Sequence, residues 1–315
     1  MAYLVPQQKR MLAAASETGY AHPLYAQALS EFGTPVRLPA SGGWLLDRPI
    51  PGTPDRDAMG PYPLFGCSDW SGIDQDLDEL ADRLASVVLV ADPFGGYDVR
   101  TLESSFDRVI PFKTHFAIDF DRKRLPLSQH HRRNVKRGLR EVVVSACNPA
   151  GQILPEWLAL YDYLIQRHSI RGIQAFSRES FRTMFDVPGL VALRATDRAG
   201  ECVGAQLWFR QGDVAYYHLG AANERGYRCS CSYALYDAAI EHFRGKVRWL
   251  DLGGGAGLNE KGDGLTRFKQ GWSNSTKTAF LCGRILNRRR YNELTTLARA
   301  ERSSFFPAYR SGESP

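Results

Sequence analysis

The sequence predicts a mixed α/β protein of two domains, each with a mostly antiparallel sheet flanked by helices. Three observations carry this expectation. A chain of 315 residues is about two domains at ~150 residues each. Helix-then-strand patterns recur in both halves, but the halves differ in charge. Asp69, Asp74, Asp76, Asp78, Glu79 and Asp82 crowd the first hundred residues, whereas Arg122 to Arg140 holds eight basic residues and no acidic one. Finally, the order helix, helix, three-strand meander, helix, strand in the second half describes a mixed sheet with one parallel crossover. The expected boundaries are 1–115, 116–290 and a basic C-terminal tail, 291–315.

Along the first domain, Leu24 to Phe32 reads as helix and Gly43 to Asp47 as strand. A Pro/Gly/Asp-rich loop follows from Pro49 to Tyr62. A second helix, Asp76 to Ser86, runs into the apolar strand Val87 to Ala91. Phe112 to Phe120 alternates as a strand and joins the halves. In the second domain Ser128 to Arg140 and Pro155 to His168 read as helices, the latter with Pro155 at its first position. Ser177 is an N-cap for a short helix to Phe185. Val191–Thr196, Cys202–Arg210 and Val214–Ala221 form a meander through Asp-Arg-Ala-Gly and Gln-Gly-Asp turns. After Asn223-Glu-Arg-Gly226, a helix to about Phe243 places Tyr236, Ala239, Ile240 and Phe243 on one face. Val247 to Leu252 is a strand that ends in a glycine run, and Thr276 to Leu281 is the last.

Several classes are excluded. A hydrophobic fraction of 43% and a charged fraction of 23% are those of a globular chain, not a disordered or fibrous one. Six scattered cysteines contain no CxxC pair, so reduced thiols are expected rather than a zinc ribbon. No HExxH or H-x-x-x-H spacing points to a metal, and no G-x-S-x-G elbow to a serine hydrolase. The first ten residues hold no apolar h-region, and no apolar run approaches the ~20 residues of a membrane span. A cytoplasmic monomer without a tightly bound cofactor is the expectation.

The net charge of +6 is a weak sign of an anionic partner. Arg133, Lys136, Arg137 and Arg140 say more, because i, i+3, i+4 and i+7 spacing puts four cations on one helix face. A solvated surface is the ordinary reading. Nucleic-acid phosphates are the sharper one, with Arg288, Arg289 and Arg290 as a candidate extension of the patch. Gly253, Gly254 and Gly255 follow a strand ending in Asp251, where glycine lets backbone approach a ligand; a plain connecting loop is the alternative. Phe268 and Lys269 follow shortly, and a lysine there can neutralise a phosphate or an oxyanion. Tyr217, Arg225 and Arg228 complete the candidate binding residues.

Phe112-Lys-Thr-His115, His131-Arg-Arg-Asn-Val-Lys-Arg-Gly138, Tyr217-His-Leu-Gly-Ala-Ala-Asn, Trp249-Leu-Asp-Leu-Gly-Gly and Asp263-Gly-Leu-Thr-Arg-Phe-Lys-Gln-Gly-Trp together resemble FemAB-like proteins. The likeness spans roughly Phe112 to Ser273. It implies two tandem GNAT-like domains, the first degenerate, enclosing a cleft. Fem-type enzymes use aminoacyl-tRNA to acylate an amine of a peptide or small-molecule acceptor. Under this resemblance Phe268 and Lys269 sit by the tRNA acceptor end or the oxyanion. The long helical arm of some members has no counterpart here.

Two other readings stand beside this one. An acyl-CoA-dependent GNAT enzyme would cradle the pyrophosphate in a Q/R-x-x-G-x-G/A loop at a helix N-terminus. The aligned loop here is Asn223-Glu-Arg-Gly226-Tyr-Arg228, with arginine in place of the second small residue. A non-catalytic binding protein of the same fold is the third reading. No cysteine or serine has a base at recognisable spacing, so direct amine attack without a covalent intermediate is expected. Lys269 is assigned to the oxyanion or terminal phosphate, with Phe268 supporting it. Asp251, Glu260 and Asp263 are the candidates for deprotonating the amine.

Overall fold

The structure is a computed structural model and describes residues 18–123, 126–255 and 264–313. The chain forms two compact units: Met1–Phe112 with Arg171–Phe176 and Thr278–Pro315, and Lys113–Ile170 with Ser177–Lys277. The first crossing falls three residues before the expected boundary. A later strand carries the chain back into the first unit.

The first unit begins with α1 (Pro23–Ala28), whose N-terminus is capped by the His22 side chain. Then come β1 (Thr34–Arg37), β2 (Trp44–Pro49), β3 (Arg56–Met59), α2 (Ile73–Asp78), β4 (Ser86–Ala91) and α3 (Val99–Ser105). The sequence reading differs at four of these, the first being β1, which it does not contain. β3 lies inside the expected loop, because Asp57 and Ala58 are buried against β2 although the segment lacks β-branched residues. α2 starts earlier and is shorter than expected, since the side chain of Asp76 turns back to accept from the backbone of Ala40 and Ser41. α3 was not foreseen; Asp98 caps it.

β5 (Arg108–Asp119) leads into the second unit, which continues with α4 (Gln129–Glu141), β6 (Val142–Cys147), α5 (Leu154–His168), α6 (Arg178–Met184), β7 (Leu190–Asp197), β8 (Cys202–Gln211) and β9 (Val214–Ala222). Ser177 caps α6 as the sequence predicts, and Ser128, read as the first residue of its helix, is the cap of α4. β6 is new: three successive valines, stiff at χ1, take the chain straight from helix into an edge strand. The helix expected from after Gly226 to Phe243 starts earlier and is two, α7 (Glu224–Cys229) and α8 (Cys231–Phe243), broken at Ser230 in the left-handed region. β10 (Trp249–Asp251) and α9 (Gly264–Gln270) follow. β11 (Ser275–Ile285) carries the chain into the first unit and α10 (Arg288–Leu297).

In the first unit the strands run β1-β2-β3-β4-β11, antiparallel except for the β3–β4 pair. The expected basic tail is part of this unit. Its Tyr291, Leu294, Phe306 and Tyr309 form a core with Ile50 and Ala85. Residues 291–315 hold three arginines and three glutamates, so the segment is not basic as expected, and its buried apolar side chains hold it in place.

In the second unit the order is β5-β10-β9-β8-β7-β6, antiparallel except where β10 runs parallel to β9. One face packs α4 and α8 over Phe116, Ile118, Leu250 and Leu252. The β9–β10 ladder pairs Val214–Tyr216 with Trp249–Asp251 and stops there, while β9 continues to Ala222. The two strands therefore part at Asp251, where the glycine run begins.

Candidate active site

The glycine run is pinned from several sides. Gly253 takes φ +73, a left-handed conformation that L side chains resist. Its N–H donates to Asp251 Oδ1 at 2.9 Å, and its carbonyl accepts from Phe116 N at 3.1 Å. Lys269 Nζ donates to Gly254 O at 2.6 Å, and Lys113 Nζ to Gly255 O at 3.4 Å. Gly253, Gly254 and Gly255 are thus a held turn rather than a loose connection. Ala256 to Asp263, including the candidate bases Glu260 and Asp263, lie outside the described residues.

Lys269 is 5% exposed, an unusual setting for a lysine. Besides Gly254 O, its ammonium stands 5.4 Å from the centroid of the Tyr217 ring, within reach of a cation–π attraction. Phe268 lies in an aromatic group with His131, Tyr233, Tyr236 and Trp272 at centroid distances of 4.8 to 6.1 Å. His131 fixes that turn twice, stacking on the Phe268 ring and hydrogen-bonding to Phe268 O at 3.0 Å. Tyr217 and Tyr236 are held neutral because burial pushes both phenols well above their ordinary range. The structure therefore brings Phe268, Lys269, Tyr217 and the three glycines together, from α9, β9 and the turn after β10.

Asp251 is 2% exposed and has both oxygens in use: Oδ1 takes the Gly253 N–H, and Oδ2 lies 2.8 Å from His115 Nδ1. The sequence reading names His115 only within the Phe112-Lys-Thr-His115 stretch and gives it no role. The β5–β10 register pairs Ala117 with Asp251, and Phe116 then bonds to both Leu252 and Gly253.

Arg133, Lys136, Arg137 and Arg140 are exposed on α4, while His131, Val135 and Gly138 face inward. None of the four pairs with a carboxylate among the described residues; Arg137 donates to Arg228 O. Arg225 and Arg228, expected to bind substrate, are instead engaged in ion pairs with Asp197 (2.5 Å) and Glu224 (3.3 Å). Arg288, Arg289 and Arg290 belong to the first unit and pair with Asp107, Glu293 and Asp55. At the start of α7, Asn223 Oδ1 accepts the Gly226 N–H at 2.9 Å. Gly226 itself is dictated by packing, because a Cβ there would stand 2.1 Å from Val203 O.

His218, on β9 beside the register shift of the β8–β9 ladder, is buried, and burial pushes its imidazole down to about 3. Folded protein thus keeps His218 neutral where an unfolded chain, with an ordinary value of 6.5, takes up a proton. The unfolded state binds more protons in that window, so stability is full above 6.5 and falls as pH drops towards 3. Urea midpoints measured against pH should show a shallower acid limb for His218→Gln than for the parent. Equal limbs would remove His218 from the acid response.

A cavity of about 690 Å³ in the second unit is lined by Phe116, Trp249, Gln270, Asn274 and Lys277, among others. Its wall shares Phe116, bonded to Gly253, and Gln270, the residue after Lys269. Among the described residues no helix is long and apolar enough to cross a membrane.

Residues 127–270 match the family model described as the acetyltransferase (GNAT) domain. Among solved structures, FemX is similar over 93% of this chain and 98% of its own, at 14% identity and a TM-score of 0.65. The C-terminal domain of a protein assigned as a lysylphosphatidylglycerol synthetase from Agrobacterium fabrum is similar over 88% and 92%, at 12% identity and a TM-score of 0.61. L-PGS from Bacillus licheniformis is similar over 83% and 91%, at 13% identity and a TM-score of 0.55. No curated protein matches the sequence. At these identities the neighbours speak for the fold, and the family match speaks for an acyltransferase domain in the second unit.

Proposed function

We propose that this GNAT-type acyltransferase domain moves an aminoacyl group from aminoacyl-tRNA to an amine of a small-molecule or peptide acceptor. One observation carries the choice of tRNA over acyl-CoA. α4 holds four exposed cations with no carboxylate partner among the described residues, and the same helix grips Phe268 through His131. Phosphates laid along α4 would therefore lead an acceptor end to the Lys269 turn. The CoA reading has less support, because the Asn223 side chain already takes the Gly226 N–H that a pyrophosphate loop would offer. The tandem GNAT-like organisation belongs to this proposal, with the first unit as the degenerate copy.

In this reading the ester is already activated, and the protein contributes position and charge. Lys269 supplies the positive charge, at the oxyanion or at the terminal phosphate. Phe268 and its aromatic neighbours fix the lysine. Asp251 holds the loop through the Gly253 N–H, and the cavity beside Phe116 and Gln270 seats the acceptor.

Binding of total tRNA should weaken steeply with salt, with a log–log slope of roughly −0.7 to −0.9 for each phosphate neutralised. Charge reversal in the pair Arg133→Glu and Lys136→Glu should flatten that slope by about two phosphates, measured by filter binding over a salt series. Binding that is undetectable, or indifferent to salt, makes α4 a solvated surface. The acyl-CoA enzyme and the binding protein would then be the readings left.

A further inference from the structure

We infer that His115 is the general base of the reaction, with Asp251 acting through it rather than on the substrate; the inference rests on the acyl-transfer reading above. A carboxylate can only accept hydrogen bonds. With Asp251 Oδ2 at 2.8 Å, the neutral imidazole therefore carries its proton on Nδ1 and presents the Nε2 lone pair. Among the described residues Nε2 has no hydrogen-bond partner, whereas both oxygens of Asp251 are taken. A buried imidazole with one nitrogen clamped and the other open is arranged to receive a proton.

The ring is also fixed against the site. Phe116, the neighbour of His115, accepts from Leu252 N and donates to Gly253 O, so His115 is one residue from the strand position that faces the turn. Two residues before it, Lys113 reaches Gly255 O. One short stretch of β5 thus holds both the imidazole and the glycine turn, so the distance between them is set by backbone. A purely structural His–Asp pair satisfies itself, but it gains nothing from an open Nε2 beside a turn held by two lysines.

The step balances within the substrates. The acceptor amine attacks the ester carbonyl, forming the C–N bond and pushing charge onto the oxygen. Nε2 takes the proton from the nitrogen, and Asp251 stabilises the imidazolium that results. As the C–O bond breaks, the imidazolium returns this proton to the departing ribose oxygen. Amine and ester become amide and alcohol, with no net proton released.

The test uses full-length protein with total aminoacyl-tRNA as donor and putrescine as the probe amine, and amide is followed by mass spectrometry. His115→Gln should lower the single-turnover rate by about 10²–10⁴-fold, with little change in KM for putrescine and an unchanged circular dichroism spectrum. The acid limb of the parent's pH–rate profile should vanish in this variant. Asp251→Asn, which favours the wrong tautomer, should also slow the rate. Independently of turnover, diethyl pyrocarbonate should label His115 at Nε2 in the parent, read by peptide mapping. A parent that forms amide while His115→Gln keeps its rate and its acid limb overturns the base and leaves the transfer reading intact. A parent that forms no amide overturns the transfer reading, and the base falls with it; His115 labelling in that protein would locate the failure in the reaction and not in the geometry.

Discussion

Lys269→Ala is expected to lower acyl transfer by roughly 10²-fold or more while leaving the fold in place, the scale of losing one oxyanion donor. The side chain has two tasks that alanine cannot perform. It puts a buried positive charge beside the glycine turn, where low dielectric strengthens its pull on developing negative charge. It also anchors the turn, through the 2.6 Å bond to Gly254 O. A trans peptide is planar, so drawing the Gly254 carbonyl towards the ammonium aims the Gly255 N–H the opposite way. Losing the lysine releases that N–H direction together with the charge. Lys269→Met keeps the apolar stem and separates packing from charge, and it should be as slow as the alanine variant. Full activity in Lys269→Ala would remove this role, and a trapped aminoacyl-enzyme would overturn direct attack.

Asp57→Ala should cost about 3–5 kcal/mol, because it strips the shared carboxylate from the buried Arg310 and the half-buried Arg48. Asp57 is fully buried on β3. It accepts from Arg310 at 2.5 and 2.9 Å, from Arg48 at 3.2 Å and from the Tyr309 hydroxyl at 3.1 Å. Arg310 retains Glu313 and Pro49 O in the variant, but Arg48 does not have such a reserve. Arg48 is already disfavoured in its charged form, since burial pulls its guanidinium down against the attraction of Asp57. Trp44 and Trp70 report on the first unit, so guanidinium unfolding followed after replacing the other tryptophans should show a lower midpoint at unchanged slope. An unmoved midpoint would mean that water or rearrangement supplies the arginines as well as Asp57 does. Asp57→Ala with Arg310→Met should recover part of the loss.

Much of the second unit was legible in its sequence because its signals are local. Ser128 and Ser177 cap where hydroxyls should, and the meander strands sit between turn residues that admit few other conformations. What escaped was settled at long range. β3 is a strand because Asp57 is needed beneath Arg310, 253 positions away. The segment expected as a basic tail folds because its aromatic residues pack on Ile50 and Ala85, some 200 positions or more earlier, and its three arginines are balanced by three glutamates. The site divides in the same way. Phe268 and Lys269 stand out as adjacent residues within a motif, whereas His115 and Asp251 are 136 positions apart and have no spacing to read. A histidine at an interior strand position, with an acid ending another strand beside a glycine run, was the available signal. The setting of Arg225 was hidden for a similar reason: its charge is visible in sequence, but Asp197, which engages it, is not adjacent to it.

The central claim is that the donor is an aminoacyl ester on tRNA. The direct measurement presents the protein with aminoacyl-tRNA and acyl-CoA together, with a panel of amines, and follows loss of each donor and gain of amide by mass spectrometry. The account predicts loss of aminoacyl-tRNA beyond its spontaneous hydrolysis, matched by aminoacyl amide, with acyl-CoA untouched. Consumption of acyl-CoA while aminoacyl-tRNA persists would contradict it.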